Sequence, residues 1–313
     1  MSPDVTGNVY NRALSKLPSE SLSIDAHSTQ DVDNSSPMVR KAQTARKHQG
    51  PVVQGIQLVS PRELPDRFRS VFPFLFFNAI QSRCYSTAYF SNHNLVVSAP
   101  TGGGKTAILE LTICRLLTDL NTDQFKVVYM APTKSLCSER QRDWQGKFAA
   151  LGLQCAELTG DTDNAHLRSV RGANIIITTP EKWDSMTRKW KDHAKLMQMV
   201  RLLLIDEVHI LKDARGATLE AVVSRMKSIG PSVRFIALSA TVPNSDDIAI
   251  WLGETANIAH LPAVREVFGE EFRPVRLQKY VIGLPFRGNE FAFEGACNPL
   301  YGLQCSCYAS FTA

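Results

Sequence analysis

The strongest constraint on how this chain can fold is a rhythm of short apolar runs: LVVSAP at 95–100, VVYMAP at 127–132, IIITTP at 175–180, LLLIDE at 202–207 and FIALSA at 235–240. None of them alternates apolar with polar residues. A strand covered on one face alternates; a strand covered on both faces has no need to, and continuous runs of this length suit a parallel sheet sandwiched by helices. The stretches between the runs carry helical spacing. Ile108, Leu109, Leu111, Ile113, Leu116 and Leu117 follow the first run, and Leu219, Val222, Val223 and Met226 precede the last. Strands alternating with helices predict an α/β fold, a doubly wound parallel sheet with helices on both faces.

Each run ends in small or polar residues: SAPTGGGKT, APTKS, TTPEK, DEVH and SAT. Open parallel sheets bind ligands beyond the carboxyl ends of their strands. The chemistry of the chain is therefore expected along one edge of the sheet.

The most specific of these tips is Ala99-Pro100-Thr101-Gly102-Gly103-Gly104-Lys105-Thr106, which follows a strand and opens a helix. Three consecutive glycines let backbone N–H groups turn inward around phosphate oxygens, and a helix N-terminus adds positive character. This context predicts a phosphate-binding loop for ATP, with Lys105 on the β- and γ-phosphates and the Thr106 hydroxyl on Mg²⁺. Ala99 stands where the general pattern has glycine. Asp206-Glu207-Val208-His209 closes another apolar run. A carboxylate pair at a strand tip beside a phosphate loop predicts a metal ligand, Asp206, and a base for the attacking water, Glu207.

The charge balance of +5 permits a nucleic-acid partner without demanding one. The seven cysteines show no paired CxxC spacing, so no zinc site is expected, and Cys305-Ser306-Cys307 reads as incidental. The segment MSPDVTGNVY lacks the apolar core of a secretory signal, and no run of eighteen apolar residues spans a membrane. Residues 1–60 read as a disordered tail, in which Arg40, Lys41, Arg46 and Lys47 form a basic cluster that fits a solvated tail better than a nuclear address. The Phe68, Val71, Phe72, Phe74, Leu75, Phe76 and Phe77 patch is expected to pack on something. Residues 61–255 read as the ATP-binding domain, and 256–313 as a lead-in to a further domain with a divergent tail.

Taken in order, AxxGxGKT, APTKSL, TTPEKWD, DEVH and SAT resemble the first RecA-like motor domain of superfamily 2 DExH helicases, over about residues 61–285. TTPEKWD, DEVH and SATVPNSDDIAIWLG resemble the Ski-type branch. LPDRFRSVFPFLFFNAIQS and FGEEFRPVRLQKYVIGLP resemble the meiotic crossover-promoting DNA helicases of fungi and animals. The resemblance implies a nuclear, ATP-driven 3′-to-5′ translocase on DNA, with meiotic recombination proteins as partners. It implies that Gln81 pairs with adenine, and that Pro132, Thr133 and Lys134, with Thr159, Gly160, Thr179, Pro180 and the neighbouring Glu181, touch the nucleic-acid backbone. It implies that Ser239 and Thr241 couple hydrolysis to motion through the DEVH carboxylates and His209. Trp183 reads as core rather than as a base-stacking residue. An RNA helicase of the same branch and a non-catalytic nucleotide- or nucleic-acid-binding fragment remain alternatives. No QxxGRAGR motif of a second motor domain occurs in 254–313, so this polypeptide alone is expected to hydrolyse ATP weakly and not to unwind DNA.

Overall fold

The computed structural model describes residues 50–119, 124–160, 169–229, 232–255, 260–275 and 278. The expected tail through residue 49, with its basic cluster, and the Cys297, Cys305 and Cys307 region lie outside the described residues.

A seven-stranded, all-parallel sheet forms the centre, in the order β5-β6-β4-β7-β8-β3-β9. Its strands are β3 (Leu95–Ser98), β4 (Lys126–Met130), β5 (Cys155–Leu158), β6 (Ile175–Thr178), β7 (Val200–Ile205), β8 (Arg234–Ser239) and β9 (Val264–Val267). A two-stranded antiparallel hairpin, β1 (Val52–Val53) with β2 (Ile56–Gln57), precedes them.

The helices are the short α1 (Asp66–Arg69), then α2 (Ala79–Phe90), α3 (Thr106–Asp119), α4 (Lys134–Ala149), α5 (Pro180–Arg188), α6 (Ala194–Met199), α7 (Gly216–Ile229) and α8 (Ser245–Leu252). Successive side chains of a strand point to opposite faces. Val127, Tyr129, Leu202, Leu204, Ile236 and Leu238 therefore join one apolar cluster with α2, α3 and α4. Val128, Met130, Leu203, Ile205, Phe235 and Ala237 join a second with α5, α6, α7 and α8. Both faces are covered, as the uninterrupted runs require. Trp183 lies fully buried in the second cluster, as core.

Three expectations change. The domain begins earlier than residue 61: the Val59 amide donates to Ser82 Oγ at 3.0 Å and its carbonyl accepts from Phe77 N at 2.8 Å, so the segment from Gly50 is structured. It also ends later than 255, because β9 pairs with β3 in the same sheet. Of the aromatic patch, Phe68, Phe72 and Phe77 are buried, whereas Leu75 is 65% exposed. Among the described residues no helix is long and apolar enough to cross a membrane.

Candidate nucleotide and nucleic-acid site

The phosphate loop is shaped from both sides. Asn78 caps α2 in a reciprocal capping box with Gln81, which fixes both side chains at the helix start. From there Asn78 Nδ2 donates to the Gly103 carbonyl at 3.0 Å, and Gln81 Nε2 donates to the Gly104 carbonyl at 2.8 Å. Gly104 has φ +73, and a Cβ on it would sit 2.7 Å from Gln81 Nε2 and 2.9 Å from Asn78 Nδ2. Only glycine satisfies that turn and that approach together. Gln81 Oε1 also accepts the Asn78 amide at 2.9 Å. The adenine contact expected of Gln81 is thereby narrowed. One N–H and one acceptor direction remain on a side chain only 7% exposed, and the contact in place is a strap from α2 to the loop.

On the other side, Arg273, just beyond β9, donates to the Thr101 carbonyl at 2.7 Å while Glu270 grips its guanidinium. Lys105 Nζ donates to the carbonyls of Ala99 (2.8 Å) and Pro100 (3.1 Å). Burial lowers the pKa of this ammonium, and the nearby Glu207 and Asp206 carboxylates oppose the shift. The loop lysine and the acidic strand tip are therefore close enough for their charges to interact.

The acidic tip is held just as closely. Tyr129, on β4, donates its hydroxyl to Asp206 Oδ2 at 2.7 Å, and the Glu207 amide donates to Asp206 Oδ1 at 3.0 Å. Burial and the Asp206 charge keep the Tyr129 phenol protonated, hence a donor. Glu207 has φ +55, a left-handed conformation that costs a non-glycine residue of order 1–3 kcal/mol. Burial first, then the adjacent Asp206, raises the Glu207 pKa above the usual carboxylate range. A carboxylate shifted upward suits the role of a general base.

His209 Nδ1 lies 3.2 Å from Glu207 Oε2 and 3.5 Å from the Ala240 amide. Nδ1 accepts from the Ala240 amide, and the imidazole stands beside the Glu207 carboxylate. The expected hydroxyl link from the SAT tip is corrected here. Ser239 Oγ is buried with no hydrogen-bond partner and Thr241 is exposed, so the tip approaches His209 through the Ala240 backbone.

The remaining expected residues gather at the neighbouring tips. Thr133 caps α4 by accepting from the Leu136 amide at 3.3 Å, which leaves Lys134 exposed on the first turn. Thr179 and Pro180 open α5, with proline at the position whose missing N–H costs nothing. Gly160 follows Thr159 at φ +64, and a Cβ there would lie 3.0 Å from Lys134 Nζ. Lys182 Nζ donates to the Gly160 carbonyl at 2.8 Å. Glu181 pairs with Arg215. The tips of β5, β6 and β4, three neighbouring strands, thus place two helix N-termini and a lysine side by side.

The family model for DEAD/DEAH box helicases matches residues 78–248, more than half of the chain. The chain belongs to the DEAD/DEAH box helicase family. It is 45% identical to the probable ATP-dependent DNA helicase HFM1 of Homo sapiens, over 89% of this chain and 19% of the human protein. It is also 45% identical to the ATP-dependent DNA helicase MER3 of Saccharomyces cerevisiae, over 75% of this chain and 20% of the yeast protein. The chain thus spans about a fifth of the length of these curated relatives. The DUF1998 helicase MrfA bound to DNA superposes with TM-score 0.57 at 21% identity, covering 67% of this chain and 28% of MrfA. Mss116p bound to ssRNA and AMP-PNP superposes with TM-score 0.56 at 18% identity, covering 67% of this chain and 45% of Mss116p. At these identities the two structures speak for the RecA-like helicase fold alone.

The sequence pointed to Lys105, Asp206 and Glu207 but not to the residues that brace the loop and the acidic tip. Tyr129 stands inside an apolar run, and Asn78 and Arg273 lie in the flanking segments, where no chemistry singles them out. The one available signal for Tyr129 was a hydroxyl inside an otherwise aliphatic run.

Proposed function

We propose that this chain is the nucleotide-binding motor domain of an ATP-dependent DNA helicase, binding Mg-ATP at the tips of β3 and β7 and the backbone of single-stranded DNA across the tips of β5, β6 and β4. The observation that carries this reading is the convergence of Lys105 with Asp206 and Glu207, each carboxylate pinned or pKa-shifted for its task. The donor set fits Mg²⁺: a threonine hydroxyl and one carboxylate are hard oxygens, and that ion takes few protein ligands beside phosphates and water. When bound, the ion would neutralise charge on the phosphates. Lys105 would leave the Ala99 and Pro100 carbonyls for phosphate oxygens, Glu207 would take the proton of the attacking water, and His209 would keep Glu207 oriented.

The strand half has no base-reading geometry in this proposal. Hydroxyls, N–H groups at helix starts and Lys134 suit phosphates, whatever the base sequence. The identity to HFM1 and MER3, both named as DNA helicases, supports DNA as the nucleic acid. The 3′-to-5′ direction, a place in meiotic recombination and a nuclear address rest on the resemblance of the flanking segments, and are proposed on that basis.

The test is ATP turnover measured with single-stranded DNA, with RNA and with neither, beside a Lys105→Ala control. The expected result is stimulation by DNA that Lys105→Ala abolishes. Stimulation by RNA but not DNA would move the chain to the RNA-directed alternative. Failure to bind any nucleotide would sink the reading.

A further inference from the structure

The two halves of the sheet edge meet between β4 and β7, and one side-chain group spans that seam. Tyr129 belongs to β4, a strand of the nucleic-acid half, yet its hydroxyl donates 2.7 Å to Asp206 at the tip of β7. Arg140 belongs to α4, whose first turn carries Lys134, yet its Nη2 donates to Thr106 Oγ1 at 3.4 Å. Its guanidinium lies against the Tyr129 ring (5.9 Å) and the Trp144 ring (5.5 Å), and Nη1 is fixed by Asp143 at 3.2 Å. The Arg140 side chain is 16% exposed, and its Nε is buried without a hydrogen-bond partner. A buried, unpaired N–H costs of order 1–3 kcal/mol. Packing alone does not explain that cost, since methionine fills such a slot without it.

We infer that Tyr129 and Arg140 form a positioning pair for the metal end of the nucleotide site, holding Asp206 and Thr106 respectively. Both residues act through another side chain: neither is placed against the nucleotide itself. Tyr129 fixes which way the Asp206 carboxylate faces. Arg140, by donating to Thr106 Oγ1, selects the hydroxyl rotamer and leaves another lone pair of that oxygen for a cation. Its own charge, held near the Tyr129 and Trp144 rings, offsets the negative charge that Asp206 brings. Outer-shell groups of this kind typically set metal affinity by about 10–100-fold.

This inference rests on the nucleotide reading above, and one experiment separates the two. A fluorescent, non-hydrolysable ATP analogue is titrated onto the chain at a series of Mg²⁺ concentrations. Wild type should bind more tightly as Mg²⁺ rises; without such a gain the nucleotide reading itself fails. Arg140→Met and Tyr129→Phe should each require about ten-fold more Mg²⁺ or higher to reach the half-maximal gain. Arg140→Lys, which keeps a charged donor, should fall between Arg140→Met and wild type. Thermal unfolding reports whether each variant is folded. A purely structural role would lower the melting temperature and leave the Mg²⁺ midpoint of the folded fraction unchanged. Folded variants with the wild-type midpoint overturn the inference; if Arg140→Met does not fold, Tyr129→Phe and Arg140→Lys decide it.

Discussion

The proposed nucleotide half of the sheet edge and the proposed nucleic-acid half use the same scaffold in opposite ways. At β7, β8, β3 and β9 the functional groups are partly or fully buried and cross-braced by partners distant in sequence: Gln81 to Gly104, Tyr129 to Asp206, Arg273 to Thr101. At β5, β6 and β4 they are mostly local devices, an N-cap threonine, a proline at a helix start and a left-handed glycine. On the function proposed above, the first half has to place charge on reacting phosphates, where small displacements are costly. On the same proposal, the second has to touch a polyanion at any sequence register, where helix starts and a solvated lysine suffice. Chemistry and grip should therefore respond separately to substitution.

Glu207→Gln should show the largest effect. Losing the proposed base should slow ATP turnover by about 10²–10⁴-fold. Affinity for single-stranded DNA, measured by fluorescence anisotropy, should stay within about two-fold, because the strand contacts lie on other tips. A parallel loss of DNA affinity would break the division into halves.

The braced half should also be the more sensitive to backbone change. Gly102 and Gly104 both have positive φ, +80 and +73, so alanine strains either. They differ in surroundings: nothing lies within 4 Å of a Cβ at 102, whereas one at 104 meets the Gln81 and Asn78 amides. Gly102→Ala should cost only the conformational strain, of order 1 kcal/mol. Gly104→Ala should add the loss of the straps, for about 2–3 kcal/mol in denaturant unfolding, and weaken nucleotide binding. Equal costs at the two positions would show that the α2 straps contribute little.

These contrasts also explain what could be read from the sequence. The five inner strands were legible because burial on both faces leaves an uninterrupted apolar run. The two edge strands were not. β5 is the short CAEL, and β9 is VREV with alternating part-exposed and exposed positions, so neither shows that run. Missing β9 put the domain end near 255 instead of past 267. Lys105, Asp206 and Glu207 were legible because their chemistry restricts residue type at fixed offsets. Arg140 reads in sequence as one more solvated helical arginine. Only folding places α4 against α3 and gives that arginine a hydroxyl to hold.

On the nucleic-acid half, Lys134→Ala should weaken single-stranded DNA binding by a few-fold, alike for different base sequences. It should also reduce the slope of log affinity against log salt by about 0.7, the value for one phosphate contact on a single strand. A loss confined to some base sequences would mean that this half reads bases, against the backbone-only grip.

The smallest effect expected is at the base of the seam, where Glu110 on α3 accepts from Trp144 Nε1 at 3.0 Å and from Lys147 Nζ at 2.8 Å, both on α4. Burial raises the Glu110 pKa although Lys147 opposes it, while the same pairing raises that of Lys147. The two directions disagree about whether the pair is favourable. Burial decides for the carboxylate, which is only 3% exposed, whereas the Lys147 side chain is 30% exposed and reaches water. A folded-state pKa above the unfolded one means that the folded chain holds its proton longer. The stability linked to this group is fully present below the ordinary carboxylate range and is lost as pH rises through the raised value. Glu110→Gln keeps an acceptor for Trp144 and removes the titration. Relative to wild type it should therefore gain stability between acid and neutral pH, in denaturant unfolding followed at several pH values. A variant that instead loses ground as pH rises would show that the ion pair outweighs burial. The α3–α4 contact beneath the metal end would then be held by charge rather than by packing.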